Sequence, residues 1–291
     1  MAGLSVPSSR LMVIAAALLF STGGVAIKAT SLTGWQTAAA RSLVAAIALL
    51  LVIPASRKGW SWRILPAATA YAATLISFVL ANKLTTSANT IFLQSTAPAY
   101  LLVLGPVVLH ERVRRSDIWL TVALVLGMIF LLMGTAPPIR TAPNPPLGNL
   151  LAAISGFTYA LTLTGLRWLS RQHSENAALA TVAVGNVLVF VLAAPLAWPV
   201  VQRDIGDLAV ILYLGCIQIA AAYWLLTRGM RAISAFETAA FLLVEPVLNP
   251  FWSWLGHGER PTIWSLAGGI VILSAAALRI RFARDGEGAT A

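Results

Sequence analysis

The feature that most constrains this chain is a series of ten mainly apolar stretches, each about 20 residues long, separated by short polar gaps. They run roughly over residues 11–30, 35–54, 64–82, 89–109, 117–134, 148–168, 178–198, 208–227, 235–255 and 262–280. A helix needs about 20 apolar residues to cross the ~30 Å hydrocarbon core of a bilayer. Because backbone groups cannot stay unpaired in lipid, each stretch is predicted to be a transmembrane helix. The predicted fold class is an all-α membrane protein with ten spans, numbered one to ten below.

The composition excludes a soluble protein of this size. Charged residues make up 10% of the chain, against about 25% in a soluble domain. The net charge of +10 would suit a nucleic-acid partner, but the basic residues cluster in the gaps between apolar stretches, where a membrane protein needs them. The single cysteine, Cys216, excludes an intramolecular disulfide and a cysteine metal cluster. We therefore expect the lipid bilayer as a partner, with no nucleic acid, cofactor or metal.

The distribution of Lys and Arg predicts the orientation of the spans. If the N-terminus is cytoplasmic, fourteen of the 20 basic residues lie on the inner side, five lie on the outer side and Arg41 lies within span two. Cytoplasmic loops carry the excess of basic residues, so both termini are predicted to be cytoplasmic, in a bacterial inner membrane. Leu11–Ile27 follows Arg10 as in a signal peptide, but it is long and nine further spans follow it. We interpret it as the first retained span.

The segment around span four recurs around span nine, 148 residues later. The copies are Ala88–Arg112 and Phe236–Arg260, with identities at Thr90 and Thr238, Pro98 and Pro246, Glu111 and Glu259, and Arg112 and Arg260. The proline-rich gap 135–147 separates two halves of five spans, 1–134 and 148–291. Because five is odd, the two copies would cross the membrane in opposite directions. Such inverted-topology repeats recur in secondary transporters, with substrate sites near the midplane; a gated channel is the alternative.

These features together resemble the drug/metabolite transporter superfamily. They are the five-plus-five division, the arginine in span two (AAARSLVAAIALLL), the proline-containing fourth span that ends in HERV, and the matching end of the second copy, HGERPTIWSLAGGIVIL. More narrowly, the chain resembles the EamA-type exporters, and among these the bacterial exporters of amino acids, including aromatic ones. The resemblance implies export of small metabolites across the inner membrane by alternating access through a central cavity. A drug, nucleotide-sugar or nucleoside carrier of the same superfamily is one alternative, and a passive pore is another.

Glu245 is the one acidic residue that falls deep within a predicted span. It lies about ten residues into span nine, which is ~15 Å along a helix and close to the midplane. An ionisable group at that depth is costly and is a functional candidate by default. It could bind a substrate ammonium group, carry a coupling proton, or only fix helix packing, for instance by pairing with Arg41. For Arg41, whose stem could snorkel to the outer interface, we expect a structural role.

Other polar and aromatic side chains within the spans are candidates for lining a wet cavity. The predicted substrate-binding residues are Ser21, Tyr71, Phe78, Asn82, Gln94, Tyr100, Tyr159, Thr162, Gln218, Glu245 and Trp252. Several of them share a helix face with another candidate, as Glu245 and Trp252 do in span nine. The alternative for each polar one is ordinary hydrogen bonding between membrane helices.

Prolines occupy matched positions in spans four and nine. Pro98 and Pro246 each remove a backbone donor and tend to kink a helix, and interrupted spans in corresponding positions point to a transport site. We predict that these two residues mark symmetric bends where two gates flex.

The sequence does not favour an enzyme. It contains neither the H-E-x-x-H metal motif nor the G-x-x-x-x-G-K-[ST] nucleotide-binding motif. With one deep carboxylate, an intramembrane aspartyl dyad is not available either. Movement driven by a gradient, or facilitated movement, is therefore expected, and a monomer is favoured.

The basic-residue asymmetry makes a prediction about topology. In a Cys216→Ala background, Ser116→Cys should react with a membrane-impermeant maleimide only from the cytoplasmic side, and Arg260→Cys only from the periplasmic side. Each variant serves as the control for the other, because the two positions lie in the matched loops 110–116 and 256–261. Labelling of both cysteines from the same side would rule out the inverted repeat.

Overall fold

The computed structural model describes residues 6–111, 113, 115–133, 139–172, 176–199, 204–260, 262–264, 266–271, 274–275 and 278. Its α-helices are α1 (Val6–Ser21), α2 (Gly23–Ala29), α3 (Gly34–Val52), α4 (Leu65–Leu84), α5 (Ser87–Gln94), α6 (Ala97–Leu104), α7 (Arg115–Met133), α8 (Pro145–Gln172), α9 (Ala177–Ala197), α10 (Ile205–Tyr213), α11 (Ala222–Gly229), α12 (Ala235–Leu242) and α13 (Val244–His257). Two π-helical segments, Gly105–Leu109 and Leu214–Ala221, extend α6 and join α10 to α11. The described residues contain no strand, only an isolated bridge between Ile139 and Ala142.

Seven stretches of the described chain are long and apolar enough to cross a membrane. They are Val6–Ala29, Gly34–Val52, Trp62–Leu84, Ser87–Leu109, Pro145–Arg171, Ala177–Ala197 and Ile205–Gly229. They coincide with predicted spans one to four and six to eight, while α7 and the pair α12 and α13 coincide with spans five and nine. Helical residues at 263–264 and 266–271 begin predicted span ten, most of whose remaining residues lie outside the described part. The all-helical, multi-span character predicted from the sequence is confirmed.

The linker predicted over 135–147 ends before residue 147 in the structure. Helix α8 begins at Pro145, where a proline is well tolerated because the first helical N–H groups have no partner within the helix. The Asn144 side chain accepts a hydrogen bond from the Leu147 N–H at 3.3 Å, and its backbone N–H donates to the Leu84 carbonyl at 3.0 Å. Residues 135–138 of the linker lie outside the described part.

The surface of the bundle is apolar and much of its centre is polar. Leu51, Trp119 and Ile205 are 71%, 74% and 86% exposed, whereas the polar side chains of Asn82 and Thr162 are fully buried. Exposed apolar area on this scale is unfavourable in water but favourable against lipid tails. Polar side chains between membrane helices instead hydrogen-bond to neighbouring helices.

Several of the spanning segments are broken in mid-course. Helix α5 ends at Gln94 and α6 begins at Ala97, while α12 ends at Leu242 and α13 begins at Val244. Each break precedes a proline, Pro98 in α6 and Pro246 in α13. A proline ring clashes with the carbonyl four residues earlier, and that residue is Gln94 or Leu242, the last residue of the preceding helix. The two breaks lie at equivalent positions of the 148-residue repeat.

The starts of the same helices are also matched. Thr86 accepts a hydrogen bond from the Asn89 N–H at 3.2 Å at the start of α5, and Ser234 accepts one from the Glu237 N–H at 3.0 Å at the start of α12. A short hydroxyl side chain at this position satisfies one of the unpaired N–H groups of the first turn. The two capping residues are also 148 residues apart.

The helices of the two halves pack against one another in corresponding pairs. Helix α1 packs on α11, α12 and α13, and α8 packs on α4, α5 and α6. Helices α3 and α9 pack on each other. As a result, residues from α1, α3, α4, α5, α8, α11 and α13 meet around one central space.

Candidate functional site

A small cavity of about 30 Å³ lies at the centre of the bundle. It is lined by Phe20, Arg41, Thr74, Leu75, Phe78, Gln94, Tyr159, Gln218, Ile219, Tyr223 and Glu245. A neighbouring cavity of about 20 Å³ shares Gln94, Tyr159 and Glu245. It also contains Ser95, Pro98 and Leu243, so both helix breaks reach it. Each cavity has room for about one water molecule and is too small for an amino acid.

Glu245 lines both cavities. It lies in the first turn of α13, directly after the break at Leu243, and is 6% exposed. Within the described part of the chain, its carboxylate has no hydrogen-bond or ion-pair partner. The N-terminal end of a helix attracts negative charge, so the break in span nine provides a favourable position for a carboxylate inside the bundle. Glu245 is therefore available to a ligand.

Polar and aromatic side chains surround Glu245. The Gln94 amide donates to the Ser155 hydroxyl at 2.7 Å, which fixes its orientation. The Oε1 atom of Gln218 is buried without a described partner. The Tyr223 ring packs edge-to-face on Phe20 with ring centroids 4.9 Å apart. The centre of the bundle thus combines an acid, two amides and an aromatic wall.

Five of the eleven predicted binding residues line the central cavity: Phe78, Gln94, Tyr159, Gln218 and Glu245. The other six lie outside its lining and contact other side chains or the backbone. Trp252 Nε1 donates to Ser21 Oγ at 3.2 Å, and the Asn186 amide donates to the Tyr71 hydroxyl at 2.8 Å. The Asn82 amide donates to the Phe78 carbonyl at 3.0 Å. The Thr162 and Thr74 hydroxyls are 3.2 Å apart, and the ring centroids of Tyr100 and Phe157 are 5.3 Å apart. A role for these six in binding stays a prediction.

Six of the eleven lining residues were not among the predicted binding residues: Phe20, Arg41, Thr74, Leu75, Ile219 and Tyr223. Arg41, for which a structural role is predicted, lies in the cavity and is 1% exposed rather than reaching the outer interface. Tyr223 lies five residues after Gln218, and this spacing does not fit an α-helical face. The two residues line the same cavity because the intervening segment, Leu214–Ala221, is π-helical. A π-helical turn in mid-span is common at functional sites.

A cluster of four residues lies at one end of the bundle and is here called the Glu259 cluster: Lys28, Thr85, Ser87 and Glu259. Lys28 Nζ lies 2.9 Å from Glu259 Oε1, with both side chains almost fully buried, and donates to the Thr85 carbonyl at 2.9 Å. Glu259 Oε2 accepts a hydrogen bond from the Ser87 N–H at 3.0 Å. A carboxylate from the end of span nine thereby satisfies the first turn of α5 in span four.

A second cluster lies at the opposite end and is here called the Glu111 cluster: Glu111, Arg167, Arg171 and Ala235. Glu111 Oε1 lies 3.2 Å from Arg167 Nε and 3.6 Å from Arg171 Nη1. Its other oxygen accepts a hydrogen bond from the Ala235 N–H at 3.2 Å, in the first turn of α12. The two clusters are reciprocal, since Glu111 and Glu259 are 148 residues apart, as are Ser87 and Ala235.

A larger groove of about 560 Å³ lies elsewhere, between α3 and the segment that leads into α11. It is lined mainly by apolar side chains, together with Trp224 and Arg228, and contains none of the predicted binding residues. The polar central cavity, with its unpaired carboxylate, is therefore the candidate functional site.

An all-helical bundle of membrane-spanning length, with a polar centre and an apolar surface, belongs to the class of multi-pass membrane proteins. A model of the EamA-like transporter family matches residues 8–133 and again residues 146–281. These two matches cover most of the chain, and the chain belongs to the EamA-like transporter family.

Individual relatives agree with this class. The chain is 27% identical over 287 residues to the uncharacterized transporter YwfM of Bacillus subtilis (strain 168), covering 91% of this chain and 93% of that protein. It is 26% identical over 195 residues to the pseudopaline exporter CntI of Pseudomonas aeruginosa, covering 65% of this chain and 64% of that protein. A solved crystal structure with 17% sequence identity superposes with a TM-score of 0.71, over 97% of this chain and all of that one. This last likeness concerns the fold alone.

The position of Glu245 yields a prediction for transport. Glu245→Gln keeps the size and hydrogen-bonding shape of the side chain, so the protein should fold while transport falls, because the cavity loses its negative charge. Glu245→Asp should retain part of the activity. Net transport and counterflow exchange are measured in proteoliposomes across the pH range in which the wild type is active.

The two assays separate two roles for Glu245. If it only binds substrate, net transport and exchange should weaken together. If it also carries a proton, exchange should persist while pH-driven net transport is lost. A folded Glu245→Gln protein that matches the wild type in both assays would make Glu245 structural.

Proposed function

We propose that this protein is an inner-membrane secondary transporter that exports small metabolites, in the first place amino acids including aromatic ones. Its ten spans form two inverted five-helix repeats, 1–134 and 148–291, and access to the central cavity alternates between the two sides of the membrane. The observation that carries this proposal is the small cavity around Glu245, with reciprocal ion-pair clusters at the two ends of the bundle.

Several structural correspondences support the inverted repeat. The family model matches the chain twice. The capping residues Thr86 and Ser234 correspond at the repeat offset, as do the two helix breaks. The packing of α1 on α11, α12 and α13 corresponds to the packing of α8 on α4, α5 and α6. Copies related in this way would present the same contacts to opposite faces of the membrane.

The two clusters support alternating access. Opening the Glu259 end would separate Lys28 from Glu259 and expose the first turn of α5 to water, which can hydrate these groups. Opening the Glu111 end would do the same for Arg167, Glu111 and the first turn of α12. Each opening would break an ion pair and a carboxylate contact to a helix N–H, so the same kinds of interaction oppose opening at both ends, as a carrier with two populated states requires. The breaks before Pro98 and Pro246 would let the outer and inner halves of the spans move separately.

The chemistry of the cavity supports an amphiphilic, amine-bearing substrate. Glu245 can pair with an ammonium group, and a pairing in a low-dielectric cavity is stronger than the same pairing in water. The Phe78 and Tyr159 rings can pack against an aromatic side chain, while Gln94 and Gln218 offer hydrogen bonds. The relative CntI is named as an exporter of pseudopaline, which supports export as the direction of transport. A cavity of about 30 Å³ must widen to admit an amino acid.

A passive pore is the competing function. A pore is continuous when open and does not require that the two ends open in turn. The two clusters favour a carrier, because each end has its own ion pair, almost fully buried at Glu259 and partly buried at Glu111, and the central cavity lies between them.

Counterflow in proteoliposomes tests the proposal. Vesicles are loaded in turn with amino acids, purine nucleosides or cationic dyes, and uptake of the same labelled compound is measured, with protein-free vesicles as the control. A carrier for amino acids should show transient accumulation of labelled phenylalanine only when unlabelled phenylalanine is inside. Flux that does not depend on the internal compound would show a pore, and counterflow with only nucleosides or dyes would refute the proposed substrate class.

A further inference from the structure

Arg41 is the basic residue in the lining of the central cavity, and within the described part of the chain it has no hydrogen-bond partner. It is the eighth residue of α3, ~10 Å from the start of that helix, and is 1% exposed. None of its three guanidinium nitrogens, Nε, Nη1 and Nη2, has a hydrogen-bond partner among the described residues. Those residues provide no ion-pair partner either.

A second buried arginine in the same bundle shows the usual arrangement. Arg167 is 8% exposed, and its guanidinium contacts Glu111 Oε1 and donates to the backbone carbonyls of Met230 and Arg231. The described residues therefore provide the Arg167 guanidinium with one carboxylate and two carbonyl partners. They provide the Arg41 guanidinium with no hydrogen-bond partner. Since buried polar groups are nearly always hydrogen-bonded, the bare guanidinium of Arg41 needs a ligand to complete it.

The chemistry of the guanidinium defines that ligand. An arginine side chain remains protonated under physiological conditions and presents five N–H donors in a planar fork. This fork matches the two oxygens of a carboxylate, and such bidentate pairs are among the strongest hydrogen-bonded contacts in proteins. The ionisable groups that share the cavity lining with Arg41 are Tyr159, Tyr223 and Glu245. Of these, Glu245 supplies the negative charge, and it lies on a different helix.

We propose that Arg41 binds the carboxylate of the substrate while Glu245 binds its ammonium group, so that the cavity selects zwitterions over simple amines. This inference rests on the proposed export of amino acids and adds the residue that recognises the anionic end of the substrate. It also gives the bare guanidinium a function, since each substrate molecule supplies the partner that the helices lack.

The test compares two ligands that differ at the carboxylate, at a pH low enough that the amines of both are protonated. Phenylalanine and phenylalaninamide share the ring and the amine, but the amide carries no negative charge. Binding is measured by ligand-induced thermal stabilisation of the purified, detergent-solubilised full chain. Wild-type protein should bind phenylalanine at least about ten-fold more tightly than phenylalaninamide, as expected for loss of a charge-assisted bidentate contact. Arg41→Gln should weaken phenylalanine binding to the level of the amide, with the affinity for the amide little changed.

Two further variants serve as references. Arg57→Gln removes an exposed arginine and should keep the wild-type preference. Arg41→Lys keeps the charge but not the fork, and should give an intermediate preference; it also provides the mutational test if Arg41→Gln does not fold.

The outcomes separate this inference from the proposed function. Equal affinity of the wild type for phenylalanine and phenylalaninamide, or an unchanged preference in Arg41→Gln or Arg41→Lys, overturns the role of Arg41 and leaves amino-acid binding intact. A wild type that responds to neither ligand, and shows no counterflow with any amino acid, overturns the proposed substrate class together with the role of Arg41.

Discussion

A charge buried between helices in a membrane has to be compensated, and this requirement distinguishes the charged residues at the ends of the bundle from those of the central cavity. At the ends of the bundle, Glu111 and Glu259 each meet a basic side chain and the first N–H group of a helix from the other half. Removing one partner from such a pair leaves a costly uncompensated charge. At the centre, the guanidinium nitrogens of Arg41 have no hydrogen-bond partner among the described residues, and those residues make no hydrogen bond or ion pair with Glu245. The compensated charges hold the helices together, and the uncompensated ones are free to bind a ligand.

The broken helices are also explained by the need to satisfy polar groups inside a membrane. A break in mid-span leaves backbone groups unpaired, which lipid does not allow but a polar cavity does. The break before α13 places a helix N-terminus at Glu245, where it favours the negative charge of the carboxylate. The break before α6 reaches the same cavity at Ser95 and Pro98. The breaks associated with the two prolines therefore place helix ends at the middle of the bundle, and Glu245 lies at one of them.

The length and hydropathy of the apolar stretches were sufficient to predict the helices, because a bilayer sets the length of a span. Depth along span nine was sufficient to identify Glu245 as a cavity candidate. Other features depend on three-dimensional packing. Whether Arg41 turns towards the interface or the centre is decided by the helices around α3, and the contribution of Tyr223 depends on a π-helical register that a period of 3.6 residues does not reveal. The extent to which the cavity is closed is a property of one conformation, which hydropathy cannot encode.

The central claim is that the two clusters close opposite entrances to one cavity. The direct measurement is the labelling of a cavity cysteine, Thr74→Cys, by a membrane-impermeant maleimide in an otherwise cysteine-free protein. Lys28→Gln weakens the Glu259 cluster, and labelling should then come only from the side of the membrane on which Glu259 lies. Arg167→Gln weakens the Glu111 cluster, and labelling should come only from the opposite side. Labelling from the same side in both variants, or in neither, would contradict the account.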